Sequence, residues 1–205
     1  MIADVRVEGN LLASSPERSG LIIAMEDEGV RGNHIDGGIV RNVLIDHNTF
    51  YQNGRQGITI YDDVRVNGIT VTNNLIDQSE NTNCLLNCSW YQIAHVERGA
   101  KAQHVTVSHN AYAPGPAMVF GVTDTVPSTG IAAFVGPSVR EFHLSSNSVA
   151  IDAGSPQSPE PLDFDGQTRT VGAAPDAGAF EFGTGAPPQP TPVPRQKLFV
   201  PVIWR

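Results

Sequence analysis

The chain contains little lysine, and this limits the partners that it can bind. Lysine occurs only as Lys101 and Lys197, the formal net charge is −8 and the sequence pI is about 5.1. Binding to nucleic acid depends on clustered basic side chains that neutralise phosphates. We therefore expect no nucleic-acid partner. An acidic surface also favours an uncharged or cation-bridged polymer over a bare polyanion.

Long apolar runs and helical patterns are scarce as well. No stretch approaches the roughly 18 consecutive apolar residues that would suggest a transmembrane helix. No segment joins helix caps to an extended three-four apolar periodicity. With 205 residues, of which 40% are hydrophobic, the composition fits one elongated domain and a tail without a transmembrane segment.

Cysteine is limited to Cys84 and Cys88. Zinc would need further Cys or His ligands at close spacing, and none follows these two. In an exported protein the pair favours a small loop disulfide over free thiols.

The dominant feature of the sequence is a repeated strand motif that ends in asparagine. Each copy has apolar residues at its first and third positions and asparagine at its sixth. The copies are residues 5–10, 43–48, 69–74, 105–110 and 142–147. The asparagines are 38, 26, 36 and 37 residues apart. Period-two alternation indicates a strand with one buried face, and recurrence at tens of residues indicates a solenoid of stacked coils.

Stacking predicts columns of equivalent residues. Asparagine carries both amide donors and an acceptor, so stacked copies can pass hydrogen bonds from coil to coil. The predicted ladder is Asn10, Asn48, Asn74, Asn110 and Asn147. One buried apolar column is predicted at Val7, Ile45, Val71, Val107 and Leu144. A second is predicted two residues after each asparagine, at Leu12, Phe50, Ile76, Tyr112 and Val149.

A further strand is predicted later in each of the first four coils. These strands fall at residues 20–25, 57–61, 91–96 and 117–120, and the longer coils require loops at about 26–42, 79–104 and 121–139. Such insertions project from one side of a solenoid, which is often the binding side.

Over residues 2–150 the repeated apolar-x-apolar-x-x-Asn segments resemble the right-handed parallel β-helix proteins of the pectate-lyase-like group. Residues 148–154, 163–169 and 175–181 are similar to the C-terminal signature S-x-A-I-D-A-G … D-x-D-G-x-x-R … D-x-G-A-x-E of many bacterial secreted β-helix proteins. The resemblance implies an all-β, right-handed parallel β-helix with an extracellular or cell-surface location. Its members include carbohydrate-active enzymes and surface proteins, so it does not fix one activity.

The resemblance also divides the chain. Residues 1–147 are expected to form the coils, residues 148–182 a C-terminal cap over the last coil, and residues 183–205 a Pro/Thr linker with a short apolar tail. A strand pattern that starts at Ile2 would leave the first coil uncapped, which predicts an N-terminal remainder of a longer chain or a partner at that end.

Acidic residues follow the second strands and suggest a site on one flank. They are Glu26, Asp62 with Asp63, and Glu97 beside Arg98. The tandem Asp62-Asp63 has some likeness to the aspartate pair of polygalacturonase-type β-helix hydrolases, and for this reason we name Asp62 and Asp63 as the catalytic candidates. The Asn-Thr-Asp and Gly-His-Gly segments of those hydrolases are missing from this chain, which argues against hydrolysis of that type. The substrate-binding candidates are Glu26, Tyr61, Trp90, Tyr91, Glu97 and Arg98.

Two alternatives accompany this flank. A lyase would use Arg or Lys as the base, and solvated strand ends would carry charge with no site at all. Ca²⁺ is the one cofactor that the pattern suggests, with Asp163 and Asp165 as weak ligand candidates. The segment is not an EF-hand, because Gln167 and Ala174 occupy positions that need acidic ligands. A structural role in the cap is favoured for Asp152, Asp163, Asp165, Arg169 and Asp176.

Two functions therefore remain open. The first is a carbohydrate-active module that binds a polysaccharide along one flank and, if it is an enzyme, cleaves it as a polysaccharide lyase or glycoside hydrolase. The second is a non-catalytic surface or adhesion scaffold.

Overall fold

The computed structural model describes residues 2–15, 18–23, 40–62, 66–77, 92–97, 103–114, 119–158 and 160–183. Within these ranges the protein is all-β, apart from one short 3-10 helix, η1 (Pro137–Val139). The strands are β1 (Ile2–Glu8), β2 (Leu11–Ala13), β3 (Leu21–Ile23), β4 (Val40–Asp46), β5 (Thr49–Tyr51), β6 (Ile58–Asp62), β7 (Val66–Thr72), β8 (Leu75–Asp77), β9 (Ile93–Glu97), β10 (Gln103–Ser108), β11 (Ala111–Ala113), β12 (Val119–Phe120), β13 (Ser128–Thr129), β14 (Phe134–Gly136) and β15 (Glu141–Leu144).

Three parallel sheets are built by successive passes of the chain. Sheet 1 has the order β1-β4-β7-β10, sheet 2 the order β2-β5-β8-β11-β13, and sheet 3 the order β3-β6-β9-β12. Each of the first four passes contributes one strand to sheet 1, then one to sheet 2, then one to sheet 3. The four strands of sheet 3 confirm the further strand predicted in each coil.

The register of sheet 1 confirms the predicted column over four passes. Val7 pairs with Ile45, Ile45 with Val71, and Val71 with Val107. Ile45 and Val71 are completely buried, because period-two alternation turns them inward between the sheets. The column of sheet 2 stacks in the same way, as Leu12, Phe50, Ile76 and Tyr112.

The asparagine ladder is also present over four passes. The side-chain amide of Asn10 donates to Oδ1 of Asn48 at 3.0 Å, Asn48 donates to Asn74 at 3.0 Å, and Asn74 donates to Asn110 at 2.9 Å. Each of these bonds is doubled by the backbone N–H of the donor residue. The ladder therefore joins the passes at the corner between sheets 1 and 2.

The fifth copy of the motif does not belong to the stack, and the predictions for Asn147, Leu144 and Val149 are wrong. Strand β15 pairs antiparallel with β14, so Leu144 lies opposite Phe134, and Asn147 is exposed. The same apolar alternation suits a hairpin strand and a coil strand equally well, which is why the pattern failed here.

The stack continues instead through residues for which the sequence predicts a loop. Val107 bridges to Asp124, and β13 pairs with β11. The predicted loop at 121–139 thus contains β13, β14 and η1. The other two predicted loops lie largely outside the described residues, although β9 and the start of β10 fall within 79–104.

Residues 130–183 fold back along the outward face of sheet 2. The backbone N–H of Gly178 donates to the carbonyl of Asn73, and that of Ala179 donates to Oγ1 of Thr49. Gly178 has φ +101°, and a Cβ there would lie 2.8 Å from Leu75 Cβ, so the close approach requires glycine. Residues 148–182 therefore pack along the side of sheet 2, and they also contact the last pass, where the N–H of Val149 donates to the carbonyl of Ile131 at 2.9 Å.

Sheet 2 is covered on both faces for a reason that is visible in its strands. Apolar residues occupy adjacent positions in Leu75-Ile76 and in all of Ala111–Ala113. Ile76 faces the interior between the sheets, whereas Leu75 and the two alanines of β11 pack against Ala150 and Ala177 of the C-terminal segment. Consecutive apolar residues indicate a strand that is buried on both sides.

Candidate functional site

The predicted acidic flank is supported only at the level of backbone register. Strand β6 pairs with β9 so that Asp62 lies beside Glu97 and Tyr61 beside Val96. Glu26, Asp63, Trp90, Tyr91 and Arg98 lie outside the described residues. The stacking of these strand ends is therefore confirmed for Asp62 and Glu97, and the catalytic and substrate-binding roles remain predictions.

The carboxylates proposed for calcium bind backbone amides instead. Oδ1 of Asp163 accepts the N–H groups of Asp165 and Gln167 at 3.0 and 2.8 Å, and its Oδ2 accepts that of Glu181 at 3.2 Å. Asp165 Oδ2 lies 2.5 Å from Nε2 of His143. Among the residues that the structure describes, no group of three acidic, His or Cys side chains could hold a metal ion.

The other acidic residues of the C-terminal signature have the same structural role. Asp152 accepts the N–H groups of Ala173 and Ala174, and Asp176 accepts those of Asp152 and Phe182. Glu181 accepts the N–H of Asp176 at 2.9 Å. These contacts close the turns of the C-terminal segment, as the favoured structural interpretation of the motif predicted.

Arg169 is the largest completely buried side chain among the described residues, and it binds carbonyls rather than carboxylates. Its guanidinium donates to the backbone oxygens of Leu162, Gly178 and Ala179 at 3.2, 2.9 and 3.3 Å. Burial lowers the pKa of Arg169 against the attraction of nearby Asp163 and Glu181. The arginine of the signature thus fixes the strand-like segment that covers sheet 2.

This network makes a prediction about pH. Burial, together with the charge of a neighbouring carboxylate, raises the pKa of Asp176 to about 6 and that of Glu181 to about 7. The folded state therefore binds these protons more tightly than the unfolded state. Their contribution to stability is complete below about pH 4 and is lost as pH rises through 6 and 7, by up to about 3 kcal/mol for each group.

Three other groups titrate over the same range. In Asp46 burial is outweighed by hydrogen bonds from His47 and Asn73, which lower its pKa, so Asp46 favours folding as pH rises toward about 4. Burial lowers the pKa of His47, which favours folding as pH rises toward about 6.5, whereas the raised pKa of His143 adds to the loss above that pH. We therefore expect the free energy of unfolding, measured with urea, to fall less, or rise more, between pH 5 and pH 7 in Glu181→Gln than in the unchanged protein. An equal pH dependence in the two proteins would contradict the assignment.

His47 and His109, which precede the ladder residues Asn48 and Asn110, occupy corners of the backbone. The residue before each ladder asparagine has a left-handed backbone, with φ of 62° at Gly9, 50° at His47, 54° at Asn73 and 56° at His109. Glycine, asparagine and histidine are the residues that tolerate this region best. His47 is completely buried, and its Nδ1 lies 2.8 Å from Asp46 Oδ1.

A groove that the sequence did not predict lies between sheet 2 and the β14–β15 hairpin. Its volume is about 640 Å³. The apolar and aromatic part comes from Leu11, Ala13, Tyr51, Pro137 and Phe142, and the polar part from Ser14, Gln52, Ser138 and Arg140. Ligand sites are typically concave, of a few hundred to about 1,000 Å³, and mostly apolar with a few placed polar groups.

Aromatic side chains pack against one another in the wall of the groove. The ring of Tyr51 packs edge-on against Phe134 at 5.6 Å and Phe142 at 5.0 Å between ring centroids. Three polar lining residues, Ser14, Gln52 and Arg140, have left-handed backbones with φ of 60°, 46° and 63°. Non-glycine residues in this region are uncommon and cluster at ligand sites.

The electrostatics of the groove differ from those of the whole chain. Arg140 is the one charged residue among the described residues that line the groove, whereas the formal net charge of the protein is −8. Its exposed guanidinium can donate to hydroxyl or carboxylate oxygens of a ligand. The groove therefore combines an apolar wall with polar donors and acceptors at its rim.

No protein-family model, curated protein or solved structure matches this chain. The described part of the chain contains no helix with the length and apolar character needed to cross a bilayer. The sequence does not predict the groove, because its walls come from three separate parts of the chain, residues 11–14, 51–52 and 137–142. These parts meet only when the β14–β15 hairpin folds back against sheet 2. The one local signal was Thr49-Phe50-Tyr51, in which two adjacent aromatics require both faces of the strand to be covered.

Proposed function

We propose that this chain is an extracellular module with a right-handed parallel β-helix fold, related to the pectate-lyase-like group, that binds a polysaccharide. Three in-register parallel sheets support the fold assignment. The resemblance of the repeat and of the C-terminal signature supports the location. The observation that carries the binding function is the groove beside Tyr51 and Arg140.

A sugar ring matches the chemistry of this groove. A pyranose has an apolar C–H face and a rim of hydroxyls, and the groove offers the ring of Tyr51 beside the amide of Gln52 and the guanidinium of Arg140. Amide and guanidinium groups are suited to orienting hydroxyl and carboxylate oxygens. The volume of about 640 Å³ accommodates a short stretch of a saccharide chain.

The acidic flank at Asp62 and Glu97 is a second surface for the same function. Its carboxylates would orient sugar hydroxyls or hold Ca²⁺ against an acidic sugar. Asp62 and Asp63 remain the catalytic candidates if the protein also cleaves its ligand, as a hydrolase or a lyase. Binding is the activity that we propose, because a catalytic acid/base motif is incomplete in the sequence.

A glycan array on the intact protein, repeated with and without Ca²⁺, identifies the ligand, and two matched double variants then locate it. We expect Gln52→Ala with Arg140→Ala to weaken binding by about 1–3 kcal/mol, the usual loss for hydrogen bonds that involve a charged group. The melting temperature should hardly change, because the Arg140 side chain is exposed. Arg41→Ala serves as the charge control, because it removes an exposed arginine that lies on sheet 1 and outside the groove.

The flank is tested in the same assay by Asp62→Ala with Asp63→Ala. A loss of binding in this variant, with none in the groove variant, would move the site to the flank. Assays for new reducing ends and for unsaturated products on the identified glycan detect hydrolysis and elimination. If no polysaccharide binds with or without Ca²⁺, the carbohydrate proposal is wrong and the scaffold function is favoured.

A further inference from the structure

The β14–β15 hairpin forms one wall of the groove, and its own backbone pairing does not hold it firmly in place. Phe142 of β15 and Arg140, which connects η1 to β15, both line the groove. The hairpin has only two strands, and its register is irregular between Phe134 and Gly136. A two-stranded hairpin by itself is marginally stable at best. The position of this wall therefore depends on the contacts that β15 makes with the rest of the molecule.

Strand β15 makes these contacts from two different faces. Phe142 and Leu144 are buried, whereas Glu141 and His143 are half-buried, which is the alternation of a strand with two unlike faces. The ring of His143 packs against Phe180 of the C-terminal segment, with 4.6 Å between the ring centroids. His143 therefore connects the groove wall to the segment that covers sheet 2.

A carboxylate lies at each ring nitrogen of His143. The Nδ1 atom contacts Oε1 of Glu141 on the same strand, and the Nε2 atom lies 2.5 Å from Oδ2 of Asp165 in the C-terminal segment. An ionised carboxylate only accepts hydrogen bonds, and a neutral imidazole has one N–H group whereas the imidazolium ion has two. Both contacts are therefore hydrogen bonds only when His143 is protonated, and neither nitrogen then has a lone pair for a metal ion.

The surroundings of the imidazole favour this protonated form. Burial alone would lower the pKa of His143, but the hydrogen bonds with Glu141 and Asp165 outweigh burial and raise it. The hydrogen bond from His143 lowers the pKa of Glu141, so this carboxylate is ionised where the imidazole titrates. Among the described neighbours, Phe180 and β14 add no titratable group, and the carboxylate of Asp163 accepts backbone N–H groups.

We propose that protonated His143 is a positioning residue for the groove, because it clamps β15 to Asp165 and so makes ligand binding in the groove stronger at acidic pH. This inference rests on the proposed function of the groove. When His143 loses its proton, at most one of its two carboxylate contacts remains a hydrogen bond. Strand β15 then stays attached through buried Phe142 and Leu144, but the C-terminal segment no longer fixes its other face.

The direction of the pH effect follows from the raised pKa of His143. The clamp is complete between about pH 5 and pH 6.5, and it is lost as pH rises through the raised pKa. Proton binding and ligand binding are reciprocal, so a ligand that needs the clamped wall must itself raise the pKa of His143. A histidine with a purely structural role would titrate without any response to the ligand.

Two measurements on the full chain test the clamp without a ligand. Nitrogen-15 NMR of the imidazole shows whether both ring nitrogens of His143 carry protons, and we expect both to be protonated at pH 6. Asp165→Asn keeps an acceptor oxygen but removes the charge, so it should lower the titration midpoint of His143. The N–H of Ser145 donates to Ala133 at the end of the hairpin, and its protection against hydrogen exchange should fall about fivefold between pH 6 and pH 8.

The pH dependence of binding tests the link to the groove. The probe is the oligosaccharide that binds most tightly on the glycan array. We expect its Kd to rise about fivefold between pH 6 and pH 8, and His143→Gln, whose side chain does not titrate, should lose most of this dependence. The matched control is His109→Asn, which removes a histidine from a left-handed corner where asparagine is tolerated, as at Asn73. This control should keep the pH dependence of the unchanged protein.

The outcomes separate this inference from the proposed function. An oligosaccharide that binds with the same pH dependence in the unchanged protein and in His143→Gln would overturn the inference and leave the groove as the binding site. A neutral His143 at pH 6, or an unchanged titration midpoint in Asp165→Asn, would overturn it without any ligand. If both ring nitrogens are protonated and Ser145 responds to pH as expected, but no polysaccharide binds, the clamp is supported and the carbohydrate function is wrong.

Discussion

Replacing Ile45 by aspartate is expected to unfold the domain. Ile45 is completely buried in the column between Val7 and Val71, and the surrounding side chains offer no partner for a carboxylate. Burying an unpaired charge costs several kcal/mol, which is comparable with the roughly 5–15 kcal/mol of total stability of a typical domain. Loss of the cooperative thermal transition in circular dichroism is the expected result.

Leu44→Asp is the matched control for this experiment. Leu44 is adjacent in β4 but faces outward and is half-buried, so its replacement places the same charge on the other side of the same strand. We expect this variant to keep its cooperative transition, with a loss of at most about 1–2 kcal/mol. If Ile45→Asp melts within a few degrees of the control, the assigned column is not the core.

The sequence contained enough information to predict the register of four passes. Alternation at Val5 and Val7 determines which face is buried, and the asparagine that follows at a constant distance marks the corner. Because both signals are local and repeat in every pass, no knowledge of long-range contacts was needed to align them.

The end of the stack could not be predicted in this way. Asp124 follows Asn110 by only 14 residues and replaces an amide by a carboxylate, so it does not resemble the motif that it completes. Residues 142–147 resemble the motif but form a hairpin strand on the side of the stack. Local alternation specifies a strand and its buried face, whereas the identity of its neighbour depends on the rest of the chain.

The candidate sites differ in the same respect. The alignment of Asp62 with Glu97 could be predicted because both follow equivalent strands, and the register agrees. The groove could not, since it requires Arg140 and Phe142 of the hairpin to approach Tyr51 from another part of the sequence. Its position on a covered face of sheet 2 also depends on Arg169, which binds the carbonyls of the segment that packs there.

The second large effect is expected at Asp124, which ends the asparagine ladder because Asn110 donates to its carboxylate instead of to a further asparagine. This residue is nearly completely buried and accepts hydrogen bonds from the amides of Asn110 and from the hydroxyl of Tyr112. The side-chain amide of Asn110 also donates to the carbonyls of Val71 and Ser108, so Asp124→Ala leaves two buried donors unpaired, the backbone N–H of Asn110 and the hydroxyl of Tyr112, at about 1–3 kcal/mol for each. We expect a loss of about 2–6 kcal/mol in the free energy of unfolding, measured by urea denaturation.

Two further variants distinguish the loss of hydrogen bonds in Asp124→Ala from the loss of side-chain packing at the same position. Asp124→Asn retains one acceptor oxygen for the ladder, so its cost should be about 1–2 kcal/mol. Burial, together with the charge of Asp124, raises the pKa of Tyr112, so its hydroxyl stays protonated and needs an acceptor. Tyr112→Phe removes that donor, and in the Asp124→Ala background it should therefore restore part of the lost stability. Purely additive costs in this double-mutant cycle would show that the side chains of Tyr112 and Asp124 do not interact, contrary to the hydrogen bond between them.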